Sequence, residues 1–168
     1  MDSLELKIPP VILVILFAFL MLVVDFLIPG IALHPAFQYT LATLLLLAGA
    51  AIAIAGVRHF RKARTTVNPM SPESSANLVT EGVYRVTRNP MYVGFLLVLL
   101  GWATVLSNPA SALLSVGFVL YMNRFQIIPE ERALQTLFGE VYANYKQQAP
   151  RWVSWIVFKP AAGTTEPH

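Results

Sequence analysis

The sequence has no cysteine. That excludes a disulfide, a thiolate nucleophile and any metal site built on Cys. Charge is also scarce: Asp, Glu, Lys and Arg make up 12% of the 168 residues, against about 25% in a soluble domain. No Gly-x-Gly occurs and no βαβ alternation is visible, so the usual glycine-rich nucleotide loop is absent. His59 has no second His or carboxylate at ligand spacing, which argues against a metal site.

What fills the chain is apolar: 56% of residues are hydrophobic and the mean hydropathy is +0.60. The expected class is an all-α integral membrane protein, one membrane domain over 1–168, with about four transmembrane helices and a C-terminal amphipathic helix. The spans are expected at about 11–28, 37–57, 91–106 and 110–128, each able to cross most of about 30 Å of hydrocarbon at 1.5 Å per residue. The first is too long for the core of a signal peptide and lacks a small-residue cleavage site, so it is expected to be retained. Asp25, near its far end, reads as an interface residue reaching water. Gly49, Ala53 and Gly56 recur at three- and four-residue intervals, a face suited to close helix packing.

Arg58, Arg61, Lys62 and Arg64 crowd the end of the second span. By the positive-inside rule they mark loop 58–90, and both termini, as cytoplasmic. They also suit anionic headgroups. The net charge of +3 is thereby accounted for without a nucleic-acid partner. Ser107-Asn108-Pro109 is a tight turn, so spans three and four form an antiparallel hairpin. Leu134, Leu137, Phe138, Val141, Tyr142 and Tyr145 mark an amphipathic helix over about 129–147. Trp152 and Trp155 read as aromatic-belt anchors, and the tail from Pro160 as frayed.

The hairpin brings two polar junctions together. GVYRVTRNPMYVG (82–94) leads into the third span, and PEERALQTLFGEVYANY (129–145) leaves the fourth. Arg88, Asn89 and Tyr92 should thus meet Arg124, Gln126, Glu130 and Glu131 at one membrane face, with Tyr84 in the first of these junctions. Polar groups at the edge of hydrocarbon are costly unless paired, which makes the cluster a candidate site. Interfacial anchoring by Tyr and Arg stays open from residue chemistry alone.

The two motifs, in this order and separated by a hairpin, resemble the isoprenylcysteine carboxyl methyltransferase and phospholipid methyltransferase group over roughly 66–153. The resemblance implies integral-membrane enzymes that use S-adenosylmethionine. One departure is Asn89, where the family commonly has His. The resemblance implies a cofactor pocket lined by Asn89, Pro90, Tyr92, Gly94 and the Glu pair. It gives Glu130 to the cofactor ammonium and Glu131 to a supporting pair with a nearby Arg. Arg88 or Asn89 can meet the cofactor carboxylate or adenine edge, and Tyr84 and Tyr92 offer aromatic faces. The candidate catalytic residues are Arg124, as holder of an anionic acceptor, and Glu131. Methyl transfer from a sulfonium is an in-line displacement that needs alignment more than a strong acid or base. The expected acceptor is an apolar small molecule or lipid reached from the bilayer.

Two other readings stand beside this one. A sterol-reductase-like, NADPH-dependent membrane reductase resembles the group in its C-terminal half, but such chains are much longer. A non-enzymatic scaffold or small transporter is the third, although internal repeats and broken helices are not evident.

Overall fold

A computed structural model describes residues 4–63 and 70–153. Arg64, Asn68-Pro69, Trp155 and the tail from Pro160 lie outside the described residues. Among the described residues every regular element is helical. The elements are α1 (Pro10–Leu27), α2 (Pro35–Lys62), α3 (Pro90–Leu106), α4 (Pro109–Tyr121), a π-helical segment (Met122–Ile127) and α5 (Ile128–Gln148). Short 3₁₀ turns at Pro72–Ser74 and Gly82–Arg85 lie between α2 and α3. Each of the five α-helices carries a proline in its first turn, where a missing N–H costs nothing and the fixed φ suits the helix.

α1, α2 and the continuous run from Pro109 are long and apolar enough to cross a membrane, and α3 is a slightly shorter apolar helix. Large side chains such as Ile15, Phe19, Leu44, Leu47, Leu113 and Leu120 stay exposed on their outer faces. An apolar surface of that extent suits hydrocarbon rather than water. This is an integral membrane protein.

α2 and α3 form the tightest pair. A Cβ on Gly49 would lie 2.6 Å from the Gly94 carbonyl oxygen, and one on Gly56 would meet the Met91 and Pro90 side chains. Only glycine lets these backbones approach so closely. α1 closes on α4 through Leu13, Met21 and an edge-on Phe17–Phe118 contact, and Trp102 Nε1 of α3 donates to the Ala18 carbonyl of α1. The α3–α4 turn is fixed by Ser107 in the left-handed region and by Asn108, whose Oδ1 caps the first turn of α4. Asn108 Nδ2 donates to Asp25 Oδ1 at 3.0 Å and to the Ile28 carbonyl at 2.8 Å. Asp25, expected at the interface, is partly exposed and also ties α1 to this turn.

Two expectations are corrected. α2 continues through Arg58, His59, Arg61 and Lys62 rather than ending at 57. Cations at a helix C-terminus are favoured by the helix dipole, and His59 Nδ1 hydrogen-bonds the Ala55 carbonyl. The apolar residues of α5 do not share one face: Leu134, Phe138, Tyr142 and Tyr145 pack inward with Val79 and Tyr84, while Leu137 and Val141 are exposed. Gly139, at φ 51°, interrupts the helical geometry between them. Trp152 is half-buried, and its Nε1 donates to Asn123 Oδ1 at 3.0 Å. That bond pins Trp152 to the π segment.

Candidate active site

Gly82 opens the site. It has φ 61°, and a Cβ there would strike the His59 ring, so glycine alone lets the 82–85 turn close on α2. The turn buries Tyr84 against Phe60, with ring centroids 5.2 Å apart. From α5, the Tyr145 hydroxyl donates to the Tyr84 carbonyl at 2.7 Å.

Next along the chain, segment 87–89 is laced to segment 149–151. The Arg88 N–H donates to the Pro150 carbonyl and Asn89 Nδ2 to the Arg151 carbonyl at 2.8 Å. Arg88 Nη1 donates to the Ala149 and Lys146 carbonyls at the end of α5, satisfying groups that a helix C-terminus leaves without partners. Arg88 Nη2 reaches Glu131 Oε1 at 2.6 Å, and Arg151 grips both oxygens of the same carboxylate at 3.1 and 2.6 Å. Glu131 thus sits between two guanidinium groups. Its hydrogen bond holds Arg151 above the ordinary arginine range.

Glu130, one residue earlier, points elsewhere, as helical geometry requires of neighbours about 100° apart. Tyr92 Oη and Gln126 Nε2 donate to its Oε1 at 2.5 and 2.6 Å. Both donors are neutral. Burial, followed by the charges of Tyr145 and Glu130, pushes the Tyr84 phenol well above its usual range, so Tyr84 remains a neutral hydroxyl donor.

These groups line one pocket of about 90 Å³. Tyr84, Arg88, Asn89, Pro90, Tyr92, Glu130 and Glu131 all contribute to it, with Leu134, Tyr142 and Tyr145 from α5. Pro72, Ser75, Asn77, Leu78 and Val79 of the polar loop form another wall. Two buried polar atoms here, Tyr84 Oη and Arg88 Nε, have no hydrogen-bond partner among the described residues. Buried polar groups are normally paired, and each exception calls for an explanation.

A model of one family, described as phospholipid methyltransferase, matches residues 37–141. That is most of the chain and includes the first junction motif whole and the second as far as Val141. The chain belongs to the phospholipid methyltransferase family. Protein-S-isoprenylcysteine O-methyltransferase B of Arabidopsis thaliana is 40% identical over 87 residues, covering 50% of this chain and 43% of the relative. Protein-S-isoprenylcysteine O-methyltransferase of Schizosaccharomyces pombe is 38% identical over 82 residues, covering 47% of this chain and 34% of the relative. An uncharacterized protein of Haemophilus influenzae is 43% identical over 63 residues, all of its own length and 38% of this chain. The chain therefore spans less than half of the isoprenylcysteine methyltransferases it matches.

Within this phospholipid methyltransferase family chain, two expected site residues stand apart from the pocket. Gly94 faces Gly49 in the α2–α3 contact. Arg124 is about half exposed, and its Nη1 lies 3.2 Å from Glu5 Oε1. The π segment turns its side chain toward the N-terminal residues and away from the hairpin mouth. Conversely, Arg151, Tyr142 and Tyr145 belong to the site without having been singled out for it. The two tyrosines carried a helical-face signal, and Arg151 stood beside Pro150 with no motif to mark it.

Proposed function

We propose that this chain is a membrane methyltransferase that moves a methyl group from S-adenosylmethionine to a lipid-soluble acceptor by in-line displacement. The observation that carries the reading is the convergence of both junction motifs on one pocket with two unpartnered polar atoms. The donor set suits the cofactor: a carboxylate for its ammonium, guanidinium and amide donors for its carboxylate or adenine edge, and tyrosine faces for its ring. Glu130 would hold the ammonium through Oε2, its Oε1 being occupied by Tyr92 and Gln126. Arg88 Nε and Tyr84 Oη would gain their missing partners. Glu131 fixes Arg88 and Arg151, Asn89 anchors the 149–151 segment, and Pro90 starts the helix that aims Tyr92.

S-adenosylmethionine supplies a methyl group already activated by its sulfonium, so the protein's task is alignment and exclusion of water. A pocket of about 90 Å³ is smaller than the about 300–1,000 Å³ of typical ligand sites. Arg124, engaged with Glu5 outside the pocket, is not proposed to hold the acceptor.

We read 1–168 as one membrane domain with both termini on the side of the basic α2 end. The acceptor reaches the pocket from the bilayer, and the prenylated acceptors named for the relatives are the first to test. No observation favours the reductase or scaffold alternatives. Purified protein in lipid should transfer labelled methyl from S-adenosylmethionine to acceptors with long alkyl or prenyl groups. Equal transfer to water-soluble counterparts at matched free concentration would contradict the bilayer route, and no transfer to any acceptor would contradict the activity.

A further inference from the structure

The π segment Met122–Ile127 joins the fourth span to the helix that carries Glu130, and both ends of the described chain grip it. Trp152 Nε1 holds Asn123, and the Leu6 N–H donates to the Phe125 carbonyl at 3.0 Å. That carbonyl is available for a physical reason. Its partner in a regular α-helix would be residue 129, which is proline and has no N–H. Within the widened turn the Ile128 N–H instead bonds back five residues to Asn123. Such π turns recur at functional sites.

Glu5 completes the grip. Its side chain is only 8% exposed and receives Arg124 at 3.2 Å and Arg132 at 2.7 Å. The two arginines stand on opposite sides of Pro129, so one carboxylate spans the junction. Leu6 beside it has φ 54°, a conformation a bulky residue adopts only where its surroundings impose it. On the inner side of the same segment Gln126 is buried and donates to Glu130 at 2.6 Å. A change of one residue in register would rotate everything downstream by about 100°, replacing Glu130 at Tyr92 with a neighbour.

We propose that Glu5 is a positioning residue: by bridging Arg124 and Arg132 across Pro129 it holds the π register that aims Glu130 at the pocket. Glu5 does not line the pocket, and it acts only through the helix it clamps. The inference depends on the proposed function for the identity of the ligand, and on geometry alone for the placement of Glu130.

Two readouts test it. Infrared difference spectroscopy identifies the Glu130 carboxyl band by its loss in Glu130→Gln, without any ligand. Glu5→Gln should shift that band, and so should Arg132→Gln, which alters only an exposed partner and keeps the fold. In titrations with S-adenosylmethionine, Glu5→Gln should raise Kd about three- to tenfold in the wild-type background and less than about twofold in Glu130→Gln. A clamp that merely stabilised the fold would lower the melting temperature and leave the band and Kd unmoved. That result, or an equal change of Kd in both backgrounds, would overturn the proposal. Wild-type protein that failed to bind S-adenosylmethionine would overturn the proposed function instead, and the band shift would still decide the role of Glu5.

Discussion

Glu130 and Glu131 are adjacent and chemically identical, yet their surroundings assign them different work. Glu131 lies between Arg88 and Arg151, whereas Glu130 receives only neutral donors. A charge-assisted hydrogen bond contributes about 1.5–3 kcal/mol, so Glu130→Gln should weaken S-adenosylmethionine binding about 10- to 150-fold. Its apo melting temperature should stay close to wild type, because Gln retains a carbonyl oxygen for Tyr92. Glu131→Gln should do the reverse, lowering the melting temperature more than the affinity, since it leaves two guanidinium groups short of a charge partner. Calorimetric titration and apo melting of both variants separate the roles. Tyr84 offers a sharper contrast: its buried hydroxyl has no partner among the described residues. Tyr84→Phe should therefore leave the apo protein at least as stable as wild type while weakening cofactor binding. A loss of apo stability would show that the hydroxyl works for the fold.

At the scale of elements, the apolar runs and the proline-led helix starts were readable from sequence, because hydrocarbon length and proline geometry leave little choice. The small-residue stripe of α2 was readable too; its partner Gly94 was not, because a lone glycine in an apolar span carries no periodic signal. Gly49→Leu should cost at least about 1–3 kcal/mol by overpacking, whereas Ala50→Leu, next along α2 at an exposed position, has room for the larger side chain. Thermal melting in one detergent compares the two, and equal losses would contradict the close α2–α3 contact. What sequence could not show was the π segment. Pro129 announced a disturbance, but whether the helix ends, kinks or widens depends on who takes the Phe125 carbonyl, and that partner, Leu6, lies more than a hundred residues away. The position of Arg124 followed the same contact. The convergence of 82–94 with 129–145, by contrast, came directly from the short turn between α3 and α4.

For the whole molecule, the basic end of α2 and the mouth of the pocket lie on one side, and the Asp25–Asn108 turn lies on the other. By the positive-inside rule we propose that the first side is cytoplasmic. Because the chain has no cysteine, single cysteines at positions such as Ser74 and Ile31 report sidedness without background. The 74 position should be labelled from the cytoplasmic side and the 31 position from the opposite one; the reverse pattern would invert the topology. The central claim concerns what the pocket binds. Equilibrium titration of the purified protein with S-adenosylmethionine and, in parallel, with NADPH tests it most directly. The account predicts saturable binding of S-adenosylmethionine that is weakened by Glu130→Gln, and no binding of NADPH. Binding of NADPH, or S-adenosylmethionine binding indifferent to Glu130, would contradict it.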